Sequence, residues 1–502
     1  MTRNGGLDVL LVQPGSRSRV YQALGSSLAA IEPPVWAGLM ARFMRDRGHS
    51  VGIIDAEAED LTAEETAQRI VDLAPALTVV VVFGHQPSAS TQTMPGAGAI
   101  CAALRRKAPH LKTLLVGGHV SALPERTLRE EECDFVCQGE GPYTILELVR
   151  VLKSESPDAC GKVPGLWYRD GNAFKANPPA PLIEDLDSDL PGLAWELLPM
   201  PKYRAHNWHC FGHLDRRQPY ASIYTSLGCP FKCTFCCINA PFGKAGYRYR
   251  SAQSVIEEID LLVHEYGVRN IKILDEMFVL NYRHVHDVCD KLIERGYDLN
   301  IWAYARVDTV KEEILEKLKR AGFNWLALGI ESGSKHVRDG ASKKFGQDDI
   351  KETVEQIKAA GIHVIGNFIF GLPDDDLETM QATLDMALDL NCEFANFYSA
   401  MAYPGSRLYE IALQEGWPLS EKWSGFSQHS EDTLPLPTKF VSASEVLRFR
   451  DRAFEIYFSN PAYLDLLQRK FGPETVRHVR EMTAHKLVRK YTGPLAEQTR
   501  SA

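Results

Sequence analysis

The chain has 502 residues, 45% of them hydrophobic and 24% charged, with a net charge of −9 and a pI near 6.0. That length exceeds one hydrophobic core, so two or three domains are expected. The acidic balance argues against a nucleic-acid partner, and no apolar run approaches the ~20 residues that span a bilayer.

Residues 1–155 alternate apolar runs with helical patterns. The run LDVLLVQ (7–13) reads as a buried strand, and residues 33–51 as a Pro-led helix stopped at Gly48. Residues 51–56, 77–84, 111–118 and 133–139 are further strands, with a helix over 96–108 among the intervening segments. Short strands joined by helices predict a doubly wound parallel sheet whose ligands sit beyond the strand C-termini. Those ends carry Ser88, Ser90 and Thr91 in one loop, Gly117, Gly118 and His119 in the next, and Gly139 and Glu140 in the last. Residues 156–215 are Pro-rich, and the Asp-Gly turn in LWYRDGNAFKA predicts a hairpin within a linker.

From 216 to 410 the alternation resumes. Six strand–helix repeats predict a parallel (β/α)6 barrel, complete or partial, with its site at the strand C-termini; an open doubly wound sheet is the alternative. Asp275, Glu276, Arg306, Glu331 and Asn367 end these strands. Residues 411–502 read as a helical region. The opening segment MTRNGGLDVLLVQPG lacks the pattern of a signal peptide, which points to the cytoplasm, where thiols stay reduced.

The concentrated signal is SLGCPFKCTFCCINAPFG (226–243), with four of the 11 cysteines in nine positions. Cys229, Cys233 and Cys236 have the spacing C-x3-C-x2-C and follow a strand end. Zinc usually takes four ligands in paired sets, and no second C-x2-C is present. Iron–sulfur clusters use cysteine thiolates, normally four, so three would leave one iron open to a ligand.

This motif resembles the signature of the radical S-adenosylmethionine (SAM) superfamily, over about residues 216–410, and Phe235 before the third cysteine matches too. The resemblance implies a [4Fe–4S] cluster on Cys229, Cys233 and Cys236, SAM on the open iron, and its reductive cleavage to a 5′-deoxyadenosyl radical. Cys237 lies outside the pattern. The resemblance assigns Glu276 (Asp275 as alternative) to the SAM ammonium and Arg306 to its carboxylate. It assigns Glu331 and Ser332, in GIESGS, to its ribose and methionine, and Asn367 to the strand beside the adenine. It also implies an electron donor such as flavodoxin or ferredoxin.

Residues 6–155, with PPVWAGLMARFMRDRGHSVGIIDAE, VGGHVSALPE and CQGEGPY, resemble the cobalamin-binding domain fused to many radical SAM enzymes. The resemblance implies cobalamin against Ser88, Ser90, Thr91, Gly117, Gly118, His119, Gly139 and Glu140. The Asp-x-His-x-x-Gly motif is absent, and His119 does not match its spacing. The lower face of cobalt is therefore expected to be empty or to face water or a residue other than histidine.

Together the resemblances imply a cobalamin-dependent radical SAM methyltransferase that passes a methyl group through methylcobalamin to an unactivated carbon of a small organic substrate. The alternative is radical cyclisation, oxidation or rearrangement without methyl transfer. Enzymes of methylthio transfer carry three more cysteines on N-terminal loops; here that domain has only Cys101, Cys133 and Cys137, none on a matching loop and the latter two within one expected strand. A cobalamin sensor would leave the cysteine triad unexplained. Tyr398, Tyr403, Tyr409, Trp423, Ser427 and His429 are candidates to line the substrate pocket, with His429 and Glu431 as acid–base groups or packing residues.

Overall fold

The computed structural model describes residues 6–22, 28–154 and 157–492. Its first sheet has the order β2-β1-β3-β4-β5-β6-β7. The strands are β1 Val9–Gln13, β2 Val51–Asp55, β3 Leu77–Val82, β4 Thr113–Gly117, β5 Phe135–Cys137, β6 Leu166–Asp170 and β7 Ala173–Ala176. Pairing is parallel from β2 through β5. Every residue of β1 and β3 is buried, as expected for apolar runs covered on both faces. The strand order reverses between β1 and β3, which opens a crevice beyond their C-terminal ends. The hairpin β6–β7 adds antiparallel to the β5 edge and so extends this sheet.

Local differences from the sequence expectations have simple causes. The helix expected over 96–108 begins at Ala89 and carries Pro95 inside it. Ser90 and Thr91 therefore lie in a first helical turn, not a loop, and Ser88 holds the N-cap position. Polar side chains suit that turn because its N–H groups have no intrahelical partner. The strand expected over 133–139 shortens to β5, and Cys133 precedes it.

The second sheet has the order β15-β14-β13-β12-β11-β8. Its strands are β8 Tyr220–Ile223, β11 Asn270–Ile273, β12 Asn300–Arg306, β13 Phe323–Glu331, β14 His363–Phe370 and β15 Phe394–Ser399, with β9 Ser226–Leu227 and β10 Arg248–Tyr249 forming a separate short ladder. All six are parallel and curl into a partial barrel. Trp208 plugs the end where these strands start: it meets Trp302 and Trp325 edge-on at 5.1 and 5.6 Å and stacks on Phe394 at 5.7 Å. The C-terminal helices Ala443–Ser459, Pro461–Phe471 and Pro473–Ala484 pack outside, where Phe471 stacks on Trp325. Among the described residues no helix is long and apolar enough to cross a membrane.

Buried charges weld the two sheets. Glu32, between β1 and the helix Val35–Arg45, enters the partial barrel and meets Lys272 of β11 at 3.0 Å, each about 2–3% exposed. Glu140, after β5, pairs with Arg248 of β10 at 2.7 Å. Glu258 pairs with Arg250 at 2.5 Å and accepts from Leu193 N and Trp195 Nε1 of the linker. Burial pushes the Glu32 carboxyl up, but the Lys272 ammonium, with a hydrogen bond from His206, outweighs it and holds the group well below the usual range.

Two outcomes follow for stability. Lys272→Met leaves a buried carboxylate without its cation and should cost about 3–5 kcal/mol, most of it recovered in Glu32→Gln/Lys272→Met; urea unfolding midpoints compare them. Because the folded-state pKa of Glu32 is depressed, its contribution is full above the unfolded glutamate value of about 4.3 and is lost as pH falls through the lower folded value. Glu32→Gln should flatten that acid limb.

Candidate functional site

The C-terminal ends of the two sheets face each other across a narrow crevice. Gly84, Ser90 and Gly118 line it from the first sheet; Gly228, Cys237 and Glu276 line it from the second. The cysteine loop starts at Gly228, whose φ is +86° and where a Cβ would stand 2.6 Å from the Gly246 carbonyl oxygen, so only glycine fits. Backbone bonds then fix the loop: Gly246 N donates to Cys229 O, Thr234 N to Ala341 O, Cys236 N to Cys233 O and Leu408 N to Thr234 O.

Cys229 is buried, Cys233 and Cys236 are half-buried, and Cys237 is buried against the crevice. Burial pushes the Cys229 thiol up to about 11, the Cys237 thiol up to about 12, and Cys236 well above its ordinary value. Such thiols ionise only when a metal displaces the proton. Among the described residues no three His, Cys, Asp or Glu side chains converge closely enough for a single ion. An iron–sulfur cluster distributes its thiolates over separate irons, so this donor set suits a cluster better than a lone zinc.

Arg306, at the end of β12, lies against this loop. Its Nε and Nη2 donate to the two Asp308 oxygens at 2.8 and 3.0 Å, its Nη1 donates to Cys233 Sγ at 3.5 Å, and its plane covers the Phe231 ring at 3.9 Å.

The two acidic residues after β11 separate cleanly. Asp275 accepts from Thr225 N at 2.7 Å, Thr225 Oγ1 at 2.5 Å and Ser226 Oγ at 2.7 Å, and so ties β8 and β9 to β11. Glu276 borders the crevice with no hydrogen-bond partner among the described residues. Desolvation pushes its carboxyl up to about 8, against the pull of Lys272 and with Asp275 adding to the rise. A buried carboxyl of this kind is suited to a cationic ligand group. Glu331 sits on a β-bulge with φ +68° and pairs with buried Lys343. Ser332 Oγ lies 3.2 Å from Thr383 Oγ1. Asn367 donates to Leu328 O and accepts from Asn396 Nδ2 at 3.0 Å.

On the first sheet, Gly117 has φ +157° and any Cβ there would strike the Val82 carbonyl, so β4 closes on β3 and Gly118 stays open to the crevice. Ser90 Oγ donates to Val82 O and accepts from His119 N. His119 Nδ1 lies 3.2 Å from Thr91 Oγ1, while its Nε2 is buried without a partner. Desolvation lowers the imidazole to about 3, so it is neutral. Nothing lies within 4 Å of a Cβ built on Gly139. The small residues suit the approach of a large ligand such as cobalamin, whereas the His119 ring packs edge-on against Trp423 at 4.4 Å. Glu140 instead points to Arg248 and Ile183 N.

A second cavity, of about 320 Å³, fills the lumen of the partial barrel. Trp302, Tyr304, Asn367, Asn396 and Tyr398 form its walls, with His429 also on the lining. Glu431 is exposed. Glu32, His85, His206 and Lys272 at its edge were absent from the sequence reading. One signal for them existed: a lysine inside the otherwise buried NIKI of β11 demands a buried partner.

Comparison with known proteins places this geometry. The model of the Radical SAM superfamily matches residues 223–387, and that of the B12 binding domain matches residues 21–149. An uncharacterized methyltransferase of Pyrococcus horikoshii is 31% identical over 459 residues, 91% of this chain and 94% of that protein. The anaerobic magnesium-protoporphyrin IX monomethyl ester cyclase of Cereibacter sphaeroides is 26% identical over 397 residues, 78% of this chain and 62% of that protein. The radical S-adenosylmethionine methyltransferase TsrM of Kitasatospora setae, solved with cobalamin and a [4Fe–4S] cluster bound, shares the fold. Its TM-score is 0.66 at 16% identity, over 95% of this chain and 99% of that one.

Arg306 yields a spectroscopic outcome. A cation donating to the Cys233 sulfur stabilises the more negative, reduced cluster. Arg306→Gln should therefore move the cluster midpoint potential to more negative values at unchanged iron content, as read by redox titration followed with electron paramagnetic resonance.

Proposed function

The chain belongs to the cobalamin-dependent radical SAM enzymes, and on that premise we propose that it is a methyltransferase acting on a carbon of a small organic substrate held in the barrel lumen. When bound, the cluster with SAM supplies a carbon radical and cobalamin supplies a methyl carrier. The observation that carries the reading is the arrangement of the crevice and the lumen. The 85–90 segment is their shared wall, with Pro87 and Ser90 on the crevice and Gln86 and Ala89 on the lumen. A substrate in the lumen thus lies next to the place where the two cofactor-holding surfaces meet, which is the proximity such chemistry requires.

The roles proposed for this chain's residues are positional. Cys229, Cys233 and Cys236 hold the cluster. Glu276 receives the cationic amino group of SAM, since Asp275 is committed to Thr225 and Ser226. Glu331, Ser332 and Asn367 shape the rest of that subsite, and Arg306 steadies the cysteine loop and the SAM carboxylate side. Ser88, Ser90, Thr91, Gly118, His119 and Gly139 surround cobalamin, Gly117 lets β4 close on β3 beside them, and Glu140 holds its loop through Arg248. The working division is 1–155 for cobalamin, 156–215 as connection, 216–410 for SAM and 411–502 as cover. A small acidic redox protein such as flavodoxin or ferredoxin is the electron source we favour.

The 26% identity to a cyclase supports a second reading, radical chemistry without methyl transfer. By-products separate the two. After anaerobic reconstitution, methyl transfer yields S-adenosylhomocysteine beside 5′-deoxyadenosine; 5′-deoxyadenosine alone would sink the methyltransferase reading. Cys233→Ala should abolish both products and the visible cluster absorption, whereas Cys237→Ala should retain the absorption. Glu276→Gln should weaken SAM binding about tenfold, the value of one charge-assisted hydrogen bond, at unchanged cluster content.

A further inference from the structure

One group of ionisable side chains has no place in the cofactor sites. Glu32 is buried at the edge of the lumen, with Lys272 Nζ at 3.0 and 3.1 Å from its two oxygens. Ser222 Oγ reaches it at 3.3 Å, His206 Nε2 at 3.4 Å and His85 Nδ1 at 3.6 Å. Lys272 spends a further donor on the His85 carbonyl oxygen at 3.2 Å and lies 4.9 Å from the Trp302 ring centroid. The ion pair is therefore closed on itself, with both charges compensated.

The two histidines differ from that pair in exposure. Glu32 is 2% exposed, but the His85 and His206 side chains are 35% and 33% exposed, and both line the cavity. A carboxylate only accepts, so the His206 nitrogen that bonds Glu32 carries the hydrogen, while His85 at 3.6 Å stands beside the carboxylate outside hydrogen-bond distance. A neutral imidazole has one hydrogen, which leaves His206 Nδ1 as an acceptor without a partner among the described residues. Burial lowers both imidazoles and keeps them neutral.

We infer that His206, oriented by Glu32 and flanked by His85, forms a substrate-recognition subsite of the lumen that accepts a hydrogen bond from a neutral hydroxyl group on the substrate. This rests on the lumen being the substrate pocket of the proposed methyltransferase. An ammonium or a carboxylate would enter as a third charge beside a pair that is already neutral, and an uncompensated buried charge is costly. A hydroxyl gives the bare nitrogen what it lacks at no such cost. Trp302, Tyr304, Ile365 and Tyr398, on the same cavity, suit an apolar or aromatic body. The class is thus a neutral, hydroxylated organic molecule with a flat or apolar frame.

The test uses three probes with one ring and different ends: benzyl alcohol, benzylammonium and benzoate. Each is titrated against the anaerobically reconstituted full-length holoenzyme, with binding read by saturation-transfer NMR. Benzyl alcohol should bind about tenfold more tightly than either charged probe, the size of one neutral hydrogen bond in a dry pocket. His206→Phe keeps a ring and removes the bare nitrogen, and should erase that preference while circular dichroism stays unchanged. Preference for benzylammonium would make Glu32 a free anion site, preference for benzoate would make Lys272 the anchor, and equal or absent binding of the alcohol would leave His206 without a ligand; each overturns the inference. If the variant does not fold, the wild-type ranking decides alone. S-adenosylhomocysteine formation is scored separately, so failure of the subsite and failure of the methyltransferase reading are distinguishable.

Discussion

The Glu32–Lys272 ion pair is the constraint on which the arrangement turns. It joins a loop of the first sheet to the third position of β11 inside the barrel, 240 residues apart in sequence. A buried charge pair tolerates little slippage, because separation leaves each ion in a medium that solvates it poorly. The pair therefore sets how the first sheet sits over the second. Glu140–Arg248 and Glu258–Arg250 add two more fixed points, one from the end of β5 and one through the linker. With three such anchors, the strand ends of the two sheets meet at a narrow crevice that combines large side chains such as Trp36, Phe83 and Tyr224 with small residues. That is where Gly84, Gly118 and Gly228 occur.

The crevice has an electrostatic logic of its own. Its acidic and thiol groups are held in their protonated forms by burial: Glu276 up to about 8, Cys229 up to about 11 and Cys237 up to about 12. A cation beside Glu276 or Cys229 would favour their charged forms. The exception is the Arg306 guanidinium, a permanent charge already set against Cys233 Sγ and balanced by Asp308. The lumen follows the opposite plan. Its charges are paired within the protein, and what remains available there are neutral donors and acceptors.

Much of this was legible in the chain. The C-x3-C-x2-C spacing, the run of strand–helix repeats and the glycine-rich strand ends report local geometry, and local geometry is written in short windows of sequence. Ranges shifted where local signals compete. Ser88, Ser90 and Thr91 read as loop, yet the helix begins at Ala89 and accommodates Pro95 inside it. Asp275 and Glu276 could not be ranked from sequence, since both end the same strand; hydrogen bonding to Thr225 and Ser226 separates them.

The sequence by itself determined the order of the two α/β units, the cysteine loop and the chemistry its spacing serves, because each depends on neighbours within a few residues. Only the tertiary structure decided which charges are satisfied and which are free. Glu32 meets Lys272 and two histidines, Glu140 turns to Arg248, Arg306 turns to Asp308 and Cys233, and Glu276 is left for a ligand. Whether a buried charge has a partner depends on distances of a few ångströms across elements far apart in the chain. No spacing pattern carries that information.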